Sequence, residues 1–286
     1  MPSIFLTNLR SIRNKFDEFR CQVSALNADI AISSETWLSS NDLAEAFNFD
    51  GYDCHRTDRM NDCGNGGVAI WTKHNFRASK VSFPVFEFFE VCVIEISCPK
   101  LIVVGMYLRP GVNNPSFDSF SCDFVKAVDD VLVRLPYHSL VVAGDFNQYD
   151  RSFLTSLLSL RNIVRGPTRL NACLDQIFVD NQLYNDYDPG NVVIGPPVGC
   201  SDHRSIFAAT HLPSRTVLRK RHVLYDLRLS NILAFEQRFL SHDLELFYSC
   251  HDVEEKCQLF YDFMSDAMST IPQKEVFITL ALMPHG

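Results

Sequence analysis

The sequence predicts an α/β fold in which two packed β-sheets carry helices on their outer faces. Short apolar runs of strand length recur through residues 3–210, and a few stripes of apolar residues at helical spacing lie between them. Many of the connections are short, so the regular strand–helix alternation of a doubly wound sheet is not expected. The pattern favours two sheets packed together with the helices outside.

Eight strands and three helices are predicted in this part of the chain. The first helix carries apolar residues from Ile12 to Leu26 at spacings of four and three. The second begins at Asn114-Pro115, with proline at the first helical position. A short third helix covers about residues 152–160. The predicted strands are residues 3–9, 28–33, 67–71, 91–96, 101–107, 140–143, 174–179 and 205–210.

Two regions are expected, a domain over residues 1–212 and a basic linker with a helical tail over residues 213–286. The linker contains Arg219-Lys220-Arg221, and apolar residues from Val253 to Ile271 recur at spacings of four and three, which predicts a helix with an apolar face. The tail offers few other segments against which this apolar face could pack, so the tail is either an appendage or part of something larger.

Composition excludes several classes of protein. The chain has 286 residues, 47% of them hydrophobic and 21% charged, which is typical of a globular protein and not of a disordered one. The net charge of -8 argues against a general nucleic-acid coating protein. No apolar run is long enough to span a membrane, and no secretory signal opens the chain. The ten cysteines form no C-x-x-C pair, so we expect reduced thiols, no zinc site, and a nuclear or cytoplasmic protein that is not secreted.

Polar residues stand where the apolar strands end. A lone Asn or Asp there usually caps a turn, and a lone His is usually structural. Asp175 is different, because a carboxylate inside an apolar strand needs a partner or a role. Strand ends can share one rim of a fold, which would gather all of these side chains. They are Asn8, Glu35, Tyr107, Asp145, Asn147, Asp175, Asp202 and His203.

Phosphodiester hydrolysis is the chemistry that this set suits. Mg²⁺ prefers hard oxygen ligands, which Glu35 and Asn8 offer, and Mn²⁺ is a possible substitute. Asp145 could orient or deprotonate water, and a histidine oriented by a carboxylate can donate a hydrogen bond to the transition state.

Six motifs resemble the endonuclease/exonuclease/phosphatase superfamily. They occur in the family's order over about residues 3–211, which makes the resemblance specific. It implies a four-layer α/β/β/α sandwich with the site at one end of the two sheets. The motifs are Asn8, Ser34-Glu35-Thr36-Trp37, Tyr107-Leu-Arg109-Pro110, Gly144-Asp145-Phe146-Asn147, Leu174-Asp175 and Ser201-Asp202-His203.

A narrower resemblance is to the endonuclease domains of non-LTR (LINE-type) retrotransposons. Asn8-Leu-Arg10-Ser11 and Pro167-Thr168-Arg169 contribute to it, and residues 260–274 look like the linker that precedes reverse transcriptase in those elements. No polymerase follows, so a reverse transcriptase domain is expected only as a partner in a full-length element. Arg10 stands where apurinic endonucleases usually have an acid, which favours the retroelement branch.

The resemblance also implies roles for individual residues. Glu35 and Asn8 bind the metal, Asp145 and Asn147 serve water activation and phosphate orientation, and Tyr107 contacts a phosphate oxygen. His203, held by Asp175 or Asp202, contacts the scissile phosphate. The candidates for DNA contact are Arg109, Thr168, Arg169 and Ser201.

These observations predict a Mg²⁺-dependent DNA endonuclease that nicks one strand and leaves a 3′-hydroxyl. Two alternatives stay open. One is a catalytically silent, retroelement-derived fragment that acts as an interaction or structural domain. The other is a phosphatase or phosphodiesterase of the same superfamily that acts on a small molecule or a lipid.

Overall fold

The computed structural model describes residues 1–60, 65–210, 218–226 and 228–280. The chain forms two compact units, one that runs from Met1 to Leu218 and one over Arg219–Thr279. The predicted boundary at residue 212 lies outside the described residues.

Mixed β-sheet makes up the centre of the first unit, and its described part contains twelve strands and three α-helices. The helices are α1 (Phe16–Ala25), α2 (Asn114–Arg134) and α3 (Asn181–Tyr184). The strands are β1 (Ile4–Asn8), β2 (Ile30–Ser34), β3 (Tyr52–Thr57), β4 (Val68–Lys73), β5 (Ala78–Lys80), β6 (Phe89–Ile96), β7 (Leu101–Leu108), β8 (Ser139–Asp145), β9 (Arg161–Asn162), β10 (Asp175–Val179), β11 (Val192–Pro197) and β12 (Arg204–Ala208).

The strands divide into two six-stranded sheets. The first has the order β11-β12-β1-β2-β4-β3, and the second has the order β5-β6-β7-β8-β10-β9. Only the central pairs, β1 with β2 and β7 with β8, are parallel, and the other strand pairs with a described register are antiparallel.

Successive side chains of a strand point to opposite faces of the sheet, and this alternation gives each sheet an inner and an outer apolar face. Ile4 and Leu6 of β1 point into the core between the sheets, whereas Phe5 points outward and packs against Phe19 of α1. The outer face of the second sheet is covered in the same way by the apolar stripe of α2, which includes Phe120 and Phe124. The order of layers is therefore helix, sheet, sheet, helix, and the predicted four-layer sandwich is confirmed.

Several predicted boundaries differ from the structure. Helix α1 begins at Phe16, and Ile12 is buried in the loop before it. Asn113 caps α2 by accepting a hydrogen bond from the Ser116 N–H, so proline is the second helical residue and not the first. The short helix predicted over about 152–160 is a π-helical segment of Phe153–Leu157.

The sequence prediction missed the peripheral strands β3, β5, β9 and β11. β9 has two residues and β5 has three, which is too short for a period to show. β11 ends in Gly-Pro-Pro, and prolines normally argue against a strand.

The second unit, described by itself, contains three helices and a two-stranded sheet. Arg219–Arg221, which the sequence placed in a basic linker, belong to the strand β13 (Leu218–Tyr225), which pairs with β14 (Gln273–Leu280). The helices are α4 (Leu229–Leu240), α5 (Leu244–Ser249) and α6 (Val253–Met268). An ion pair of 2.6 Å joins Arg238 of α4 to Asp266 of α6.

Two negative findings apply to the described residues. No disulfide joins the cysteines among them. None of their helices has both the length and the apolar character that a membrane crossing needs.

Truncation of Phe124 should destabilise the first unit strongly. The ring is fully buried and packs against Phe83, Phe120 and Phe153. We expect Phe124→Ala to lower the free energy of unfolding by about 3–5 kcal/mol in urea denaturation of the full chain. The matched control on the same helix is Val133→Ala, which should change stability by less than about 0.5 kcal/mol because Val133 is 78% exposed. Equal effects of the two variants would contradict this packing.

Candidate active site

The register of the central strands brings the strand-end residues together. Asn8 ends β1 beside Ser34 of β2, one residue before Glu35. In the second sheet, Tyr107 is the register neighbour of Asp145, and Asp145 is the register neighbour of Asp175. Register neighbours project on the same face of a sheet. The two sheets therefore present their polar residues to one another at the same end of the sandwich.

The Asn8 amide joins carboxylates from both sheets. Its Nδ2 donates to Glu35 Oε1 at 2.9 Å and to Asp145 Oδ2 at 2.8 Å. Its Oδ1 accepts the backbone N–H of Arg10 at 3.0 Å, which determines the orientation of the amide group. Asn8 thus points its donor group, and not its oxygen, at the two carboxylates.

A buried histidine–carboxylate pair lies on the other side of Asp145. His203 Nδ1 is 2.7 Å from Asp175 Oδ2, and both residues are buried. Burial lowers the pKa of His203, but the hydrogen bond to Asp175 and the charges of Asp175 and Asp145 outweigh it and raise the pKa above its ordinary value. With Nδ1 held by Asp175, Nε2 is the ring nitrogen that is left to donate to a substrate.

Asp145 has the properties of a proton acceptor near neutral pH. Burial, together with the charge of Asp175, raises its pKa from 3.8 to about 7, although His203, Asn8 and the backbone N–H of Asn147 act in the opposite direction. A general base works best when its pKa lies near the working pH.

Asn147 and Tyr107 complete the cluster. The backbone N–H of Asn147 donates to Asp145 Oδ1 at 2.8 Å, and its Nδ2 donates to the Leu108 carbonyl at 2.8 Å. The Tyr107 hydroxyl hydrogen-bonds to Glu35, and burial, with the charges of Glu35 and Asp145, raises the pKa of Tyr107 above its ordinary value. Tyr107 therefore stays protonated and remains a donor.

The backbone is strained at three points of the site. Glu35, Trp37 and Asn147 have φ values of +50°, +56° and +47°, which non-glycine residues seldom adopt. Trp37 Nε1 donates to Glu35 Oε2 at 3.2 Å and helps to hold this turn. Such strain persists only where surrounding contacts determine the conformation, and it is common at functional sites.

Thr168 and Ser201, two of the predicted DNA contacts, are buried. Thr168 is fully buried, and its hydroxyl accepts the backbone N–H groups of Leu174 and Asp175, each at 3.0 Å. Ser201 is also buried, donates to the Asn8 carbonyl at 2.7 Å and accepts the His203 N–H at 3.2 Å. Both side chains are therefore held inside the protein by hydrogen bonds to the backbone of Asp175, Asn8 and His203, and their role as DNA contacts stays a prediction.

Asp202 and the predicted arginines lie on the rim. Asp202 is exposed and forms ion pairs with Arg10 (3.2 Å) and Arg169 (2.6 Å). Two acids were proposed to hold His203. Asp175 hydrogen-bonds to its ring, whereas Asp202 pairs with the arginines of the rim. Arg109 is exposed just after the end of β7.

Gly144 belongs to the same motif as Asp145 and has no predicted role of its own. A Cβ at this position would lie 1.9 Å from the Met106 carbonyl oxygen of the neighbouring strand. The absence of a side chain lets β8 approach β7 closely beside Asp145. A glycine in an otherwise apolar strand is the signal for such an approach.

The donor set fits a hard divalent cation. Ligand atoms of Asp145, Asp175 and His203 all lie within 4.8 Å of one another. Asp175 Oδ1 is buried and has no hydrogen-bond partner in the described part of the chain, which leaves one carboxylate oxygen open to a ligand. Carboxylate oxygens are what Mg²⁺ and similar ions prefer. The ligand roles of Glu35 and Asn8 stay predictions.

Comparison with known families agrees with this geometry. The Endonuclease/Exonuclease/phosphatase family matches residues 7–203. This chain belongs to the endonuclease/exonuclease/phosphatase family. The superfamily consists of hydrolytic nucleases and phosphatases and is dependent on divalent metals, and membership in it supports a hydrolase. None of the curated proteins matches the chain.

Solved structures of the family share the fold at low identity. The 3′ phosphatase NExo from Neisseria, bound to a product DNA hairpin, is 18% identical with a TM-score of 0.58, over 73% of this chain and 98% of that chain. The endonuclease domain of TRAS1, a telomere-specific non-LTR retrotransposon, is 16% identical with a TM-score of 0.52, over 72% and 96%. The AP endonuclease LMAP from Leishmania major is 16% identical with a TM-score of 0.54, over 74% and 88%.

The buried carboxylates should make the metal-free protein less stable than an Asp145→Asn variant. The pKa of Asp145 is about 7 when folded and near 3.8 when unfolded, so its ionisation costs stability above pH 7, and the cost shrinks as the pH falls toward 4. In EDTA, we expect Asp145→Asn to raise the melting temperature by several degrees at pH 8 and by less at pH 5.

The control for this measurement is Asp129→Asn, on the exposed side of α2. It should leave the melting temperature unchanged at both pH values. A lower melting temperature for Asp145→Asn at pH 8 would contradict the electrostatic account.

Proposed function

We propose that this chain is a Mg²⁺-dependent DNA endonuclease that nicks one strand. The observation that carries the proposal is the buried Asp175–His203 pair beside Asp145, in a cluster that Glu35 joins from the other sheet. The pair supplies a donor for a phosphate oxygen, and Asp145 supplies a base for water.

The rim supplies local positive charge although the net charge of the chain is -8. Arg10 and Arg169 flank the exposed Asp202 next to His203, and Arg109 follows the strand that carries Tyr107. Arginine side chains bind phosphate groups in bidentate geometry. These arginines would contact the DNA phosphates on either side of the scissile bond.

Hydrolysis would proceed by attack of water on the phosphorus atom. Asp145 accepts a proton from the water, and the Nε2 of His203 donates a hydrogen bond to a non-bridging oxygen. Tyr107 donates to the phosphate from the opposite side. The bond from phosphorus to the 3′ oxygen breaks, and this oxygen takes up a proton from solvent, which leaves a 5′-phosphate and a 3′-hydroxyl.

A divalent ion adds what these residues lack. When bound, Mg²⁺ (or Mn²⁺) polarises the phosphoryl group and stabilises the leaving oxygen. Glu35 and Asn8 are the residues proposed to hold it, with the open Asp175 Oδ1 nearby. Asn8 would have to offer its oxygen in place of its amide hydrogens to act as a ligand.

Target-site cleavage of the retroelement type is the biological setting that we propose. The motifs from Asn8 to His203 resemble retroelement endonuclease domains, and a 3′-hydroxyl is the end that a reverse transcriptase extends. The TRAS1 endonuclease domain has the same fold, so this role requires no other architecture. A polymerase domain of a full-length element would be the partner, in the nucleus or the cytoplasm.

His203→Ala should reduce plasmid nicking by at least about 100-fold, because it removes the donor to the scissile phosphate. The measurement is relaxation of supercoiled plasmid with Mg²⁺, with Mn²⁺ and with EDTA. The matched control is His74→Ala, since His74 lies in an exposed turn after β4.

Undiminished nicking by His203→Ala would overturn the mechanism. A folded wild type that does not nick would overturn the proposed function. In that case, turnover of inositol phosphates or sphingomyelin would indicate a phosphatase or phosphodiesterase, and failure to bind a divalent metal would indicate a silent domain.

A further inference from the structure

A largely buried ion pair outside all six motifs lies next to Tyr107. Arg59 Nε is 2.5 Å from Glu90 Oε1, and its Nη2 is 3.2 Å from Glu90 Oε2, so the contact is bidentate. The side chains are only 14% and 6% exposed. Arg59 follows β3 of the first sheet and Glu90 belongs to β6 of the second, so the pair connects the two sheets.

The pair contacts the site through Tyr107. Glu90 is the register neighbour of Tyr107, which places it in one row with Tyr107, Asp145 and Asp175 across four strands. The Arg59 guanidinium carbon lies 5.7 Å from the centroid of the Tyr107 ring. The hydroxyl of the same ring hydrogen-bonds to Glu35. Arg59 and Glu90 therefore define the position of the ring from the side opposite Asp145.

A second route leads to Glu35 through the backbone. A Cβ on Gly66 would lie 2.5 Å from the Arg59 guanidinium, so the guanidinium packs directly against this backbone. The Gly66 carbonyl accepts the Trp37 N–H at 2.8 Å, and the Gly67 carbonyl accepts the Thr36 N–H at 3.3 Å. These bonds hold the strained turn that begins at Glu35.

Stability alone does not account for such a pair. Burial of an ion pair costs desolvation free energy, and apolar residues of similar size often serve the fold as well. Burial raises the pKa of Glu90 although Arg59 bonds to it, so the environment disfavours the carboxylate charge, whereas Glu90 raises the pKa of Arg59 against the effect of burial. A buried bidentate pair does, however, define an orientation better than apolar side chains do.

We propose that Arg59 and Glu90 are positioning residues that hold Tyr107 and Glu35 in the geometry needed for turnover. The role rests on the proposed nuclease function and adds two residues that none of the motifs contains. Arg59 itself is too enclosed to act mainly by binding DNA, so its loss should lower kcat and leave KM for DNA unchanged.

The main test is the double variant Arg59→Met with Glu90→Leu. Removal of both charges leaves no lone buried ion, so the melting temperature should stay within a few degrees of wild type. We expect kcat for plasmid nicking to fall by about 10- to 100-fold with KM unchanged, the range found when residues that orient a metal site are lost. The dissociation constant of Mn²⁺, measured by calorimetry, should rise about 10-fold because Glu35 is displaced.

A conservative variant keeps the proposal testable if the double variant does not fold. Arg59→Lys retains the charge and loses the bidentate contact. It should have the wild-type melting temperature and a kcat reduced by about 10-fold.

Combination with Tyr107→Phe separates positioning from a general effect on the fold. If Arg59 and Glu90 act on catalysis largely through Tyr107, kcat of the triple variant should be close to that of the more impaired parent. The matched control is Lys73→Met with Asp29→Asn, a partly buried pair of 2.8 Å at the other end of β4, which should retain wild-type kcat.

The outcomes distinguish the two proposals. A wild type that nicks and a double variant with unchanged kcat would overturn the positioning role and leave the nuclease intact. Losses of kcat that multiply fully in the triple variant, together with an unchanged dissociation constant of Mn²⁺ in the double variant, would also overturn it. A wild type that does not nick with any divalent metal would overturn the nuclease and the positioning role together.

Discussion

The hydrogen bonds of one buried amide connect the two halves of this site. Asn8 Nδ2 donates to Glu35 from the first sheet and to Asp145 from the second. Apolar contact between the two sheets has no preferred direction, so it does not by itself define how the polar strand ends meet. Hydrogen bonds do have direction, so the Asn8 amide sets how the two strand ends meet. Ser201 adds to this by joining the Asn8 carbonyl to the loop of His203.

The same arrangement concentrates negative charge where water is scarce. Asp145 and Asp175 are register neighbours in a buried position, and burial, together with the charge of Asp175, raises the pKa of Asp145. A fold selected only for stability would place apolar residues there. The cost is what makes the site useful, since a carboxylate with a pKa near 7 can exchange protons at neutral pH, and a crowded anionic centre attracts a divalent cation.

Much of the fold and of the site could be predicted from the sequence, because both depend on strand ends. Continuous apolar runs mark the central strands, and a polar residue directly after such a run has to face the edge of the sheet, as Asn8, Glu35 and Asp145 do. The direction of a side chain is a different matter. Thr168 lies in a motif with Arg169, but it turns inward to Asp175, and no periodicity in a loop predicts that.

Contacts between residues far apart in the sequence could not be predicted. Arg59 and Glu90 are separated by 31 positions and lie on different sheets, so only the packing of the sheets shows that they meet. Their pairing also changes how charge on this chain is interpreted. Glu90 balances the charge of Arg59 inside the protein, whereas Arg10 and Arg169 both pair with Asp202 at the surface. The arginines near the site therefore divide into an inner one that supports Tyr107 and outer ones whose acid partner, Asp202, is exposed. Exposed ion pairs contribute little to stability, so a phosphate can compete with Asp202 for the outer arginines while the inner pair stays in place.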